Sequence, residues 1–200
     1  MPRKKSVYSP HPAIAHEAAM IRNMPEKTGR ALQQWIAIAR KAAPPGEKER
    51  RQWLMDQHGL STLYAAIVAG RSLGKRGMED YQPEALVEAM FSGPKAGLRP
   101  IYEKLLEIGF SMGSDVKVCP CKTMVPFYRK HVFAQIKPST RTRIDMGFAL
   151  KGAQITGKRL AETGGAASDD RITHAIAITR LEEVDEEVRK WFRTAYERDV

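Results

Sequence analysis

Cysteine is nearly absent from this chain of 200 residues: Cys119 and Cys121 are the two present, with Pro120 between them. That spacing excludes a disulfide-built scaffold and suits a reducing compartment, so a cytoplasmic location is expected. Aromatic residues are few, at 8%, but they recur at regular intervals, which argues against disorder. No run approaches the roughly 18 uninterrupted apolar residues of a membrane-crossing helix, so no span and no membrane partner are expected. Met1-Pro2-Arg3-Lys4-Lys5 has no apolar stretch behind it, so no secretory signal is expected. Acids are outnumbered: 33 Lys and Arg stand against 23 Asp and Glu, a net charge of +10 that favours anionic partners. What remains is an ordinary globular composition, 42% hydrophobic and 28% charged, long enough for one large domain or two small ones.

The first third reads as helices. A weak helix over about Pro12 to Asn23 precedes one that starts at Thr28-Gly29 and carries Leu32, Trp35, Ile36 and Ala39 at the spacing of a buried stripe. Pro44-Pro45-Gly46 stops it, because proline cannot continue the hydrogen-bond ladder. Glu47 to His58 follows, with Trp53 and Leu54 inward and Gly59 at the left-handed cap. Ser61 then caps a helix through Leu63, Tyr64, Ile67 and Val68, ended by Gly70. The Gly-rich, basic stretch Arg71 to Met78 is the expected linker. Residues 1–78 are therefore read as a helical domain, flexible over 1–11, and 79–200 as a second domain.

In that second domain Pro83 opens a short helix with Leu86, Val87, Met90 and Phe91. Gly93-Pro94 interrupts, and Leu98, Ile101, Tyr102, Leu105 and Leu106 form another helical stripe up to Gly109. From Asp115 the period changes to two. His131 to Lys137 alternates with Val132, Ala134 and Ile136 on one face, and Arg141 to Leu150 places Arg141, Arg143 and Asp145 opposite Ile144, Met146 and Phe148. Pro138-Ser139-Thr140 joins them as an antiparallel hairpin. Arg171 to Thr179 is a third strand, and Val116 to Cys119 is a candidate fourth. Val184, Val188, Trp191, Phe192 and Ala195 make a final amphipathic helix that covers the apolar sheet face. The expected class is α+β: a small helix-turn-helix-like domain, then an antiparallel sheet with helices on one face.

Charge is unevenly spread. Lys117 to Arg159 holds ten basic residues against Asp145 alone, whereas the last twenty residues hold seven acids and four bases. The alternation sends Lys137, Arg141 and Arg143 to the outer sheet face, with Gln135, Thr173 and His131 as expected neighbours. The guanidinium fork suits phosphate or carboxylate, so this face is a candidate anion site, although the outer face of a half-buried sheet is polar whatever the function. The candidate contacts are Arg141 and Arg143, supported by Lys137, Lys122, Arg129 and Lys130.

Other chemistries fit less well. Gly152 to Arg159 resembles the phosphate-cradling loop GxxxxGK[ST], but Arg159 stands where the magnesium-binding hydroxyl belongs and no helix follows. Cys119 and Cys121 with His131 and His174 lack the paired spacing of a structural zinc site. Lys122 beside Cys121 raises the alternative of a reactive thiol. The Gly59 turn has helix-turn-helix rhythm, yet the helix after it carries no base to read a groove, although Arg71, Lys75 and Arg76 beyond it could touch a phosphate backbone. No nucleophile, base and acid gather in the sequence, so no catalytic residue, cofactor or metal is expected.

Lys27-Thr28-Gly29-Arg30 leading into Trp35-Ile36, then His58-Gly59-Leu60-Ser61, resembles a short helical bacterial domain of unknown function. Ser92-Gly93-Pro94-Lys95 with Leu98-Arg99-Pro100-Ile101-Tyr102, then Phe133-Ala134 through Pro138-Ser139-Thr140 to Arg143-Ile144-Asp145-Met146-Gly147, resembles a second one, also found in proteins labelled predicted transport proteins. The resemblance implies a two-domain bacterial protein and carries no catalytic residue across. The reading is a non-catalytic protein that binds an anionic partner, a nucleic acid held by its phosphates. The alternatives are a small-molecule binder or enzyme with Arg143, Tyr128 and a thiol in a pocket under the 151–170 loop, and an adaptor or homo-oligomer joining acidic helix to basic sheet.

Overall fold

The computed structural model of the chain describes residues 6–164 and 170–200; residues 1–5 of the expected flexible segment and 165–169 of the expected loop lie outside these. The chain divides into two compact units, Pro10–Tyr81 and Gln82–Val200, with residues 6–9 grouped with the second.

The first unit contains four helices: α1 (Pro12–Thr28), α2 (Leu32–Ala42), α3 (Glu47–His58) and α4 (Thr62–Ser72). Its core is Met24, Trp35, Ala39, Leu54, Leu60, Ala65, Val68 and Ala69. Thr28-Gly29 ends α1 instead of starting α2. Gly29 sits at φ 76° and its N–H bonds the Pro25 carbonyl at 2.9 Å, closing the helix in the left-handed region that favours glycine. The Thr28 hydroxyl donates to the Met24 carbonyl at 2.7 Å and accepts from Trp35 Nε1 at 2.8 Å, so it links the two helices. Gly59 takes the expected left-handed cap at φ 65°, whereas Ser61 stands at the α4 N-cap with no side-chain bond. The basic stretch from the last turn of α4 onward is tied back by acids within this unit. Arg71 pairs with Glu17 and Glu79, Lys75 with Glu47, and Arg76 with Asp80.

The second unit has the expected α+β class. Helices α5 (Pro83–Met90) and α6 (Arg99–Phe110), joined through a 3₁₀ segment at Gly93–Leu98, precede the strands, and α7 (Glu186–Arg198) follows them. The strands are β1 (Lys117–Val118), β2 (Val125–Tyr128), β3 (Val132–Pro138), β4 (Ile144–Phe148), β5 (Ala161–Glu162) and β6 (His174–Ile178). They pair antiparallel in the order β1-β2-β3-β4-β6-β5. The β3–β4 hairpin forms as the alternation predicts, with Ala134 opposite Phe148, Ile136 opposite Met146 and Lys137 opposite Asp145. Strands β2 and β5 had no counterpart in the periodicity.

A register shift places Tyr128 opposite Val132 and Phe127 opposite Ala134, leaving Phe133 as an extra residue on β3. This bulge corrects the expected alternation at that end: Val132 is half-buried, while Phe133 is fully buried beside Phe127 and Phe192. Helix α7 lies on β3 and β4 and touches α6. Its Phe192 ring meets Phe127 at 5.3 Å and Phe148 at 5.6 Å, edge to face. Gly109 lets α6 approach the sheet, since a Cβ there would fall 2.1 Å from the Phe127 ring.

Candidate functional site

The β3–β4 turn is longer than the sequence suggests. The ladder ends at Pro138 opposite Ile144, and residues 139–143 form the connection, tied by Thr140 N–H to the Arg143 carbonyl at 3.3 Å. Arg141 and Arg143 therefore do not stand on a strand face, which corrects the expectation. Arg143 turns back on Asp145, with Nε 2.9 Å from Oδ1, because residues two apart in extended chain share a side. Its charge is met within the chain. Arg141 is exposed and lines a recess of about 630 Å³.

Three segments build that recess. Strand β3 contributes Lys137 and Pro138 at its end, with Ser139 and Arg141 just beyond. The β1–β2 connection contributes Lys122 and Thr123, and the end of α5 with the 3₁₀ segment contributes Ala89, Met90, Ser92, Pro94 and Lys95. The Lys95 ammonium donates to the Pro138 carbonyl, which fastens the 3₁₀ segment to the end of β3. Four cations thus line one hollow, and no carboxylate lines it. Lys122, Lys137 and Arg141 form no ion pair with any described residue. Such an arrangement concentrates positive potential in a concave space.

Of the six candidate residues, the structure gathers Lys122, Lys137 and Arg141. Lys95 joins them and was missed. Arg129 and Lys130 lie at the opposite end of β3, about 20 Å away by strand rise, because they form the β2–β3 turn. Arg129 is also taken up, pairing with Asp115 at 2.9 Å and stacking 4.4 Å over the Tyr196 ring. Of the expected neighbours, Gln135 shares the Lys137 side of β3, whereas His131 and Thr173 are elsewhere. His131 bonds Asp199 at that far end, and Thr173 is buried, its hydroxyl 2.9 Å from His174 Nδ1.

The remaining candidates do not assemble into a site. Cys119 is fully buried, and burial pushes its thiol up to about 11; burial also raises Cys121. Both shifts run against the reactive-thiol alternative, because desolvation disfavours the thiolate. Arg159, in the loop-like motif, donates to Glu187 at 3.1 Å, to the Glu183 carbonyl at 3.1 Å and to Asp185, and strand β5 follows instead of a helix. No group of three metal-ligating side chains gathers among the described residues. A smaller cavity of about 280 Å³ holds Lys151, Arg171 and Arg198, but Asp170 and Asp199 line it with them. After α3 and its turn, helix α4 turns Ala65, Val68 and Ala69 inward, and the bases beyond it are the ion-paired ones described above.

The family model described as Domain of unknown function (DUF5655) matches residues 87–199, and that described as Domain of unknown function (DUF4287) matches residues 16–71. No curated protein and no solved structure matches the chain.

Proposed function

This chain belongs to the DUF5655 family, a domain of unknown function that spans more than half of it, and we propose that its second unit is a non-catalytic module binding an anionic partner, the phosphate backbone of a nucleic acid. The observation that supports the reading is the recess itself, where Lys95, Lys122, Lys137 and Arg141 meet without a carboxylate. A protein that neutralises phosphates releases their condensed counterions, so its affinity falls as salt rises. Lysine and arginine on three different segments favour contact with phosphate oxygens over reading of base edges, which needs a helix or strand seated in a groove.

The test is fluorescence anisotropy with a labelled nucleic acid over a range of salt. If all four cations engage, the plot of log affinity against log salt has a slope of about −3 to −4. The pair Lys122→Ala and Arg141→Ala flattens it by roughly 2 units. Arg143→Ala, already held by Asp145, and Arg129→Ala, at the other end of β3, leave it unchanged. Binding that ignores salt, or that ignores the Lys122 and Arg141 pair, overturns the reading.

A further inference from the structure

Resting on that reading, we propose that the recess takes the terminal phosphate monoester of a nucleic-acid strand in preference to the diesters along it. The argument is one of shape and charge. A backbone read along its length meets an open stripe of bases. Here Lys95, Lys122, Lys137 and Arg141 come from three segments and line one hollow. A diester inside a strand carries one charge and has chain on both sides, so it offers the gathered cations less charge and fewer free oxygens. A terminal monoester carries about −1.5 to −2 near neutral pH and presents three free oxygens, and only one side of it continues as chain.

The donors match that group. The Arg141 guanidinium is a planar fork suited to two oxygens of one phosphate, and the lysine ammonium groups add point charges. Ser92, Thr123 and Ser139 add hydroxyl-bearing residues to the lining, and Met90 with Pro94 supplies an apolar surface for the adjoining sugar. The volume of about 630 Å³ fits a terminal nucleotide and falls within the usual range of small-ligand sites.

The experiment compares one short single-stranded oligonucleotide with a 5′-phosphate, with a 3′-phosphate and with hydroxyls at both ends, bound to the full chain at fixed salt. The expected result is that a strand phosphorylated at one of its ends binds at least about tenfold tighter than the hydroxyl strand. That preference drops below about twofold in Arg141→Ala, an exposed turn position whose fold is checked by circular dichroism. It also shrinks below about pH 6, where the monoester loses its second charge. Equal, salt-sensitive binding of all three strands overturns this inference and leaves the backbone reading standing. No binding of any strand overturns both. Adenosine monophosphate binding as tightly as the best strand assigns the recess to free nucleotides and overturns the strand-end form.

Discussion

The imidazole Nδ1 of His131 lies 2.9 Å from Oδ1 of Asp199, although 68 residues separate them in the chain. The same carboxylate accepts the His131 backbone N–H at 2.8 Å and Arg171 Nη2 at 3.0 Å, and its side chain is 2% exposed. Asp199 is the C-cap of α7, so this node fastens the end of the covering helix to the start of β3.

Burial alone would raise the Asp199 carboxyl, but the two bonds from His131 and the field of Arg171 outweigh it and hold the group below its ordinary value near 3.8. A carboxyl depressed on folding stabilises fully above its unfolded value and loses that contribution as pH falls through the folded one. Asp199→Asn is expected to lower stability at pH 7 by about 1–3 kcal/mol. The deficit relative to the parent should shrink as pH falls below about 4. Urea denaturation across pH checks this, and equal stability at neutral pH would dismiss the node's importance.

Phe192 is the centre of the aromatic cluster under the sheet, in contact with Phe127, Phe133 and Phe148. Truncating it leaves a void that close-packed neighbours fill only in part. Phe192→Ala is expected to cost about 3–5 kcal/mol, read as a lower thermal midpoint of the second unit.

Arg50 is 6% exposed and satisfied by neutral acceptors: Nε donates to the Pro44 carbonyl at 2.9 Å, and Nη1 to the Ser72 hydroxyl at 2.7 Å. The fork reaches from the α2–α3 connection to the end of α4 in one planar group. A lysine carries its three donors on one nitrogen and lacks the spread of the fork, in which Nε and Nη1 each reach a different acceptor. Arg50→Lys should therefore destabilise the helical unit by about 1–3 kcal/mol in chemical denaturation, and a neutral result would show that the second bond contributes nothing.

Helices were easier to read than strands because their signals are local. Glu47–His58 emerges from its own flanking Pro-Pro-Gly and Gly59 with the same bounds in the structure. Thr28-Gly29 misleads because threonine and glycine occur at both ends of helices, and the choice depends on Trp35 reaching back to Thr28. Strand β2 hides behind Pro126, which lacks a ladder donor and so argues against a strand within a sheet. At the recess, charge density pointed to the stretch that supplies Lys122, Lys137 and Arg141, but alternation assumed that the ladder ran through Arg141. The Arg143–Asp145 pair was open to reading from spacing alone. Lys95 was not, because its bond to Pro138 closes 43 residues of chain.

That bond has a thermodynamic consequence. An exposed lysine carries about 2 kcal/mol of rotamer freedom, much of which it forfeits on gripping a ligand. Lys95, anchored on the Pro138 carbonyl, gives up part of its mobility when the chain folds, before any encounter. One of the four ammonium and guanidinium arms is thus held in place beforehand, so the anion binding proposed above would meet an entropic penalty lighter than four loose arms impose.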